Sequence, residues 1–464
     1  LSISKKIGGK LPGWQKKVFA LNGGVYLVGG AVRDKIINPR MMTKDSDYLV
    51  TNIPMKKLVA LLKEYGRVEL VGKSFGVIKF TQNGFGSNTV DIALPREEYS
   101  VGLGHRDFVV KYSHELPIEA DLTRRDFTIN AMAYNLETGE LVDPLNGRAD
   151  IKRKLIRMIT PKSFVDDPLR MLRAAQFAAR FGFKIEKSTL SAMQLHSKLV
   201  KTVSNERVQE EINKLLLKSG TPSYGFKLMQ DTGLLEHIIP ELTIGSGVIQ
   251  NEFHKYDVFL HNLYSCDYAP QDNIVVRLTA LLHDIGKVGE KKKVKDKKTG
   301  HYRVVFYNHE QLSVKQAEGI LNRLRYSNDV IRKVTHLIKY HMFEYTNNWT
   351  SAAVRRFIAK VGLENLEDMF ALRIADRQAS GTKGVDYKLR ELKKRISQEV
   401  ENKVAVTVSS LVVDGYDIMK TMGIPSSPIV GKVLDYLLEC VMDNPGCNNK
   451  KELLRLAREY KVLE

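Results

Sequence analysis

Cysteine is nearly absent: Cys266, Cys440 and Cys447 are the only three in 464 residues, and no two form a CxxC pair. Such usage excludes a disulfide framework and a cysteine zinc site, and points to a reducing compartment, the cytoplasm. No apolar run has the length needed to span a bilayer, and the opening residues carry no signal-like stretch. Repeats and low-complexity tracts are also missing. Acid is scarce relative to base, 53 Asp and Glu against 72 Lys and Arg, for a formal net charge of +19. That excess is a field felt by polyanions over a Debye length, and it carries no information about the fold. Nucleic acid is the commonest partner of such a surface, an anionic membrane the alternative. The charge is dispersed, apart from Lys291 to Lys298, which reads as a solvated loop. Dispersed charge suits a long, sequence-tolerant RNA track.

What is present is ordinary globular material, 43% hydrophobic and 27% charged, enough chain for roughly two to four domains. In residues 1–150 short apolar runs alternate with turns. VYLVGG (25–30), SDYLV (46–50), GVIKFT (76–81) and TVDIAL (89–94) read as strands, 54–66 as a helix, and NGFG (83–86) as a hairpin turn. From about residue 161 helical periods take over, and DDPLRMLRAAQFAARFGF (166–183) reads as a helix opened by acids and proline. Boundaries are expected near 150, 245 and 380: residues 1–150, 151–245, 246–380 with most of the later histidines, and a basic helical tail, 381–464.

LVGGAVRD (27–34) is a strand, a glycine pair and a helix start, a junction whose N–H groups and positive helix end can hold a triphosphate. Taken alone, the pair is equally a tight turn. Asp45-Ser46-Asp47 follows. In an extended strand alternate side chains share a face, so Asp45 and Asp47 can grip one metal site, and Asp91 from a neighbouring strand can add a third carboxylate. Two Mg²⁺ ions so held would activate an attacking 3′-hydroxyl and neutralise leaving pyrophosphate.

These residues, with VGKSFGVIKF (71–80), DIALPREEYS (91–100), GHRDF (104–108), DLTRRDFTINAMAYNL (121–136) and VDPLNGRADI (142–151), resemble class II tRNA nucleotidyltransferases and their bacterial poly(A) polymerase cousins. The resemblance implies an α+β fold: a polymerase-beta-like nucleotidyltransferase head with a mixed sheet, then an elongated all-α neck, an HD domain and a helical, tRNA-binding tail. It implies that Gly29, Gly30 and Arg33 contact the incoming triphosphate, and that Asp45 and Asp47 hold the metals. Arg124, Arg125, Asp126 and Asn130 would bind phosphates and sense the ribose. Asp167 and Arg170, three apart and so neighbours on a helix face, would present their side chains to the base edge of CTP or ATP, with Arg173 orienting them. One departure is Asp166, where relatives usually carry glutamate. Residues 96–120 correspond to the loop linked in relatives to switching from C to A addition, and they have full length here. The activity implied is addition of C, C and A to tRNA. An A-adding or CC-adding specialist, a poly(A) polymerase, or a protein acting chiefly as an HD phosphohydrolase or RNA binder are the alternatives.

LTALLHDIGK (278–287) carries a His-Asp doublet that resembles the HD phosphohydrolase superfamily. His261 precedes it and Asp376 follows, so His261, His283, Asp284 and Asp376 form a mixed imidazole–carboxylate set for a divalent metal. His309, His336 and His341 are candidates for a second position. The resemblance implies hydrolysis of 2′,3′-cyclic phosphates or 2′-phosphates.

Overall fold

The computed structural model describes residues 12–40, 46–71, 76–84, 89–100, 108–250, 254–295, 300–381 and 387–460. Asp45, the NGFG residues 85–86 and the 101–107 stretch lie outside them. The chain divides into two compact units, Leu1–Pro240 and Glu241–Glu464.

The first unit begins with α1 (Gly13–Ala20), β1 (Gly24–Val28), α2 (Gly30–Ile37), β2 (Asp47–Thr51) and α3 (Met55–Lys63), followed by β3 (Gly66–Val71), β4 (Val77–Gln82) and β5 (Thr89–Ala93). A ribbon of β6 (Arg96–Ser100) and β7 (Phe108–Tyr112) precedes α4 (Ile118–Thr123), β8 (Ala133–Asn135), β9 (Leu141–Val142) and α5 (Gly147–Arg153). Seven strands form one sheet in the order β3-β4-β5-β2-β1-β8-β9. Only β2 and β5 pair in parallel, so the sheet is mixed. Strand alternation builds its core: Ile78 and Phe80 are buried while Lys79 between them is exposed, and Val25, Val50, Ile92, Leu58, Leu62 and Trp14 close the same cluster. All four expected strands and the helix form. The 96–120 segment, expected to be a loop, carries the β6–β7 ribbon and the first half of α4.

Beyond residue 160 come α6 (Ser163–Asp166), α7 (Leu169–Phe181), α8 (Lys187–His196), α9 (Asn205–Lys218) and α10 (Pro222–Asp231). The region is helical except for a two-residue parallel pairing of Leu155–Ile156 with Lys184–Ile185. Alanines at 174, 175, 178 and 179 keep the buried face of α7 small, and Gly182 closes it at φ +65. On α10, a Cβ at Gly225 would meet Leu215 Cδ1 at 2.6 Å, so glycine sets the approach of α10 to α9. The helix read over 166–183 starts later. Asp166 ends α6, Asp167 is extended (φ −140, ψ 98), and α7 begins only after Pro168. A residue before proline is driven out of the α region, which explains the break.

The second unit is helical, with a ribbon of β10 (Lys292–Lys295) and β11 (Tyr302–Val305). Lys292–Lys295 of the second unit's lysine run therefore form a strand rather than a loop, and residues 296–298 of that run lie outside the described residues. Its distal helices, Gly415–Met422, Pro428–Asp443 and Lys450–Glu459, close their own core around Ile418, Val433, Leu437 and Leu453. Among the described residues no helix is long and apolar enough to cross a membrane.

Candidate active site and candidate metal centre

The β1–α2 turn is built on Gly29, at φ +66 and ψ −130, where a Cβ would also meet Arg125 Nη1 at 2.6 Å. Only glycine takes that backbone without strain. The first turn of α2 leaves N–H groups with no intrahelical acceptor, and Gly29 and Gly30 line a cleft of about 540 Å³. Arg33, one turn on, is buried. Its guanidinium donates to Asp34 at 2.8 Å and to Asn130 Oδ1 at 2.6 Å, and it lies over the rings of Phe177 and Phe181 at 5.0 and 4.7 Å. Burial lowers its pKa against the pull of Asp34.

Asp47 opens β2 and lines the cleft. It is in register with Asp91 on the parallel β5, so the two carboxylates stand on neighbouring strands and one face. Asp91 lies beside Lys79 Nζ, 3.9 Å away, with both side chains nearly half exposed.

The arginines are held by buried acids. Arg124 and Arg125 donate to Asp121 at 2.5 and 2.9 Å, and Asp121 is fully buried. Burial alone would raise that carboxyl, but Arg125 and Arg124 hold it below its ordinary value. Asp126 is likewise lowered despite burial, chiefly by Arg173. One of its oxygens accepts from Phe127 N–H and Asn130 Nδ2, the other from Arg173 Nε and Nη2. Four donors fill the acceptor capacity of a carboxylate, so a ribose hydroxyl would have to share an oxygen with one of them.

Asp167 and Arg170 both line the cleft but point to other partners. Asp167 accepts from Leu169 N–H at 3.2 Å and from Arg207 of α9 at 2.9 Å, while Arg170 donates to the Arg124 carbonyl at 2.9 Å. The expectation of neighbours on one helix face is corrected accordingly: Asp167 stands ahead of the helix that carries Arg170.

Every residue expected to bind the nucleotide lines this one cleft together with Asp47, while Asp91, expected as the third carboxylate, is not among its lining residues. Those that sequence reasoning missed there include Arg96, Gln176, Arg180, Lys214 and Lys218. Gln176 is 2% exposed and its Nε2 has no acceptor. Arg180, seven residues beyond Arg173 on α7, was findable from helical spacing.

In the second unit, imidazoles and carboxylates converge at helix ends. His261 lies within helix Val258–Tyr268, His283 and Asp284 just past helix Ile274–Leu282, and Asp376 within helix Leu366–Ala379. The doublet thus follows its helix instead of sitting on it. His261 Nε2 is 3.3 Å from His283 Nε2, 3.3 Å from Asp284 Oδ2 and 3.2 Å from Asp376 Oδ1. His309 Nε2 approaches Asp284 Oδ1 at 3.0 Å and His341 Nε2 at 3.6 Å, so both join the cluster. His336 does not: its Nε2 bonds the Val361 carbonyl at 2.7 Å. His254, unassigned from sequence, completes a set with His261 and Asp284 whose ligand atoms lie within 4.8 Å.

The Nδ1 atoms of His283, His309 and His341 each face a backbone carbonyl, of Ala280, Phe306 and Ile338, at 2.9, 2.8 and 2.7 Å. A carbonyl only accepts, so each Nδ1 carries a proton and each Nε2 faces the cluster, able to offer a lone pair when its ring is neutral. Buried lone pairs facing carboxylates require a cation or a proton among them. Burial lowers His283, yet Asp284 and Asp376 lift it to about 10. The donor set fits a divalent transition metal or Mg²⁺.

A mixed sheet, a glycine turn at a helix start, paired strand carboxylates and an arginine-lined cleft define a nucleotidyltransferase of the polymerase-beta-like class. Residues 25–157 match the family model of the poly(A) polymerase head domain, 182–244 that of the "Probable RNA and SrmB-binding site of polymerase A", and 298–457 that of tRNA nucleotidyltransferase domain 2. The chain belongs to the class II tRNA nucleotidyltransferase family. The multifunctional CCA protein of Nitrosospira multiformis is 35% identical to it over 322 residues, 68% of this chain and 72% of that one. The multifunctional CCA protein of Pasteurella multocida is 31% identical over 412 residues, covering 84% and 92%. An A-adding tRNA nucleotidyltransferase of Deinococcus radiodurans is 32% identical over 335 residues, covering 69% and 75%. The fold is shared with the Bacillus stearothermophilus CCA-adding enzyme solved with CTP, at a TM-score of 0.70 and 21% identity over 96% of this chain and 95% of that one.

Proposed function

We propose that this protein adds C, C and A to the 3′ end of tRNA, taking CTP and ATP without a nucleic-acid template. One observation carries the reading: the glycine turn, Asp47, the Arg124–Arg125 pair, Asp167 and Arg170 line a single cleft of about 540 Å³. Family membership and the RNA-directed excess of +19 support it. The tRNA 3′-hydroxyl attacks the α-phosphate and pyrophosphate leaves. Gly29, Gly30, Arg33, Arg124 and Arg125 bind the triphosphate, and Asp126 and Asn130 the ribose side. Asp167 and Arg170 read the base edge, with Arg173 orienting them. An acceptor carboxylate beside a guanidinium fork matches cytosine or adenine and leaves guanine and uracil mispaired. Asp45 and Asp47, with Asp91 in register with Asp47, are hard oxygen donors suited to Mg²⁺, which when bound would activate the 3′-hydroxyl and neutralise pyrophosphate. We assign residues 1–150 as catalytic head, 151–245 as nucleotide-recognising neck, 246–380 as HD domain and 381–464 as tRNA-binding tail. The cytoplasm is the proposed location, in keeping with the free Cys266, Cys440 and Cys447.

The test is a tRNA transcript lacking its 3′ terminus, given CTP, ATP or both and read at single-nucleotide resolution. Two C's and then one A is the expected product. Arrest after CC, or A added only to a CC end, would mean a specialist, and a long A ladder a poly(A) polymerase. Asp47→Ala should abolish addition while tRNA binding persists.

A second activity is favoured by the convergent Nε2 atoms of the second unit. We propose that His261, His283, Asp284 and Asp376 hold a divalent metal in a cavity of about 620 Å³ bordered by Lys287, Arg373 and Arg377, and that it hydrolyses 2′,3′-cyclic phosphates or 2′-phosphates. Asp284→Ala should remove metal-dependent hydrolysis; activity equal to wild type would end this reading.

A further inference from the structure

A second hollow, of about 500 Å³, shares Met342 and Glu344 with the histidine–aspartate cavity. Its walls are aromatic. Phe343 and Trp349 both pack on Phe357, with ring centroids 4.8 and 5.7 Å away. At the seam Met342 is 61% exposed, a large apolar side chain left open to solvent. Two exposed lysines, Lys339 and Lys360, stand on the rim, while Arg356 beside them is paired with Glu439 and Asp443. Glu344 is the acid among the lining residues.

Aromatic walls under a basic rim suit one class of occupant, a nucleobase on its phosphate backbone. Every base has a π face, and the unstacked bases of single-stranded RNA lie on aromatic side chains. Chain continuity adds the second argument. His341 belongs to the imidazole–carboxylate cluster and Met342 follows it directly, a step of about 3.8 Å. The hollows adjoin through Met342 and Glu344, so one nucleotide could place its base in one and its phosphate in the other.

We propose that this hollow is a nucleobase subsite, seating the terminal base of a single-stranded RNA whose 3′ phosphate lies in the histidine–aspartate cavity. The inference rests on the phosphoesterase reading of that cavity. Trp349 makes it directly measurable, because the other of the two tryptophans, Trp14, is buried in the first unit at 2% exposure. Titrating the full chain with a short RNA ending in a 2′,3′-cyclic phosphate should quench Trp349 emission. The same RNA with an abasic last residue should not. Trp349→Ala should raise KM for the cyclic-phosphate RNA roughly 5- to 100-fold, with Trp349→Phe restoring most of it. Hydrolysis of methyl riboside 2′,3′-cyclic phosphate, which has the ester and no base, should be unchanged. Lys360→Ala, at an exposed position that lines the second hollow and not the histidine–aspartate cavity, gives the same KM comparison without touching the core. Quenching without hydrolysis of either ester would keep the subsite and remove the phosphoesterase reading. Hydrolysis with unchanged KM in every variant, and no base-dependent quenching, would overturn the subsite. So would a doubled mass in solution that Trp349→Ala returns to a monomer, since the hollow would then seat a second copy.

Discussion

The carboxylate of Asp121 touches no expected ligand, yet the site's arginines depend on it. It is fully buried and holds both Arg124 and Arg125. Its pKa lies below the ordinary 3.8, so its contribution to stability is present above that value and is lost as pH falls through the lower folded one. Asp126 follows the same sign. Urea midpoints should therefore drop as pH falls below the carboxylate range. Asp121→Asn should cost on the order of 3 kcal/mol at pH 7 and flatten that acid limb; an unflattened limb would assign the acid sensitivity elsewhere. Arg207 is the matching case on the side proposed to read the base. By holding Asp167 at 2.9 Å it acts as a positioning residue. Arg207→Ala should raise KM for CTP and ATP and blur their selection with a smaller loss in kcat, and Arg207→Lys should recover part of it. Single-turnover kinetics with all four nucleotides would reveal an intact preference if the contact were merely structural. Asp121 was within reach of the sequence, since it stands three and four residues before its arginines on one helical turn. Arg207 was not, because it is 40 residues from Asp167 and only folding brings them together.

Elements were legible where one strong period or one punctuating residue governed them. Short apolar runs bounded by turns named β1, β2, β4 and β5, and Gly29 named the turn before α2. The α6–α7 junction was misread because acids and proline signal a helix start generally, while Pro168 imposes its break on the single residue before it. The β6–β7 ribbon was missed because the 96–120 run, polar and glycine-containing, shows only weak periodicity in the sequence. Tertiary approach left its own mark at Gly225, whose missing side chain lets α10 close on Leu215 of α9. Gly225→Val should destabilise the first unit by about 1–3 kcal/mol through overpacking, lowering its thermal midpoint while nucleotide preference stays as it was. A shift in CTP-to-ATP preference would show that the helix spacing also tunes the base-reading side chains.

Across the whole molecule, charge and metal make separate predictions. A +19 chain that tracks an RNA backbone releases counterions, so tRNA affinity should fall about 10³-fold or more between 50 and 200 mM salt if six or more phosphates are contacted. A flat response in filter binding would rule out the electrostatic track. The buried cluster of His261, His283, Asp284 and Asp376 should make the thermal midpoint metal-dependent. Chelator should lower it, and a divalent ion at about 100 times its Kd should restore about 2.7 kcal/mol. Asp284→Ala should abolish that shift. The sequence by itself determined the family, the strand–turn–helix that starts the cleft, the RRD segment and the His-Asp doublet, because each is a contiguous run whose chemistry depends on near neighbours. Tertiary structure decided which distant groups share a site. It aligned Asp91 with Asp47 through strand register, gave Asp167 to Arg207, admitted His254, His309 and His341 to the imidazole–carboxylate cluster and turned His336 away to a carbonyl. Those choices follow from packing and from the acceptors that buried N–H groups must find, and no local spacing encodes them.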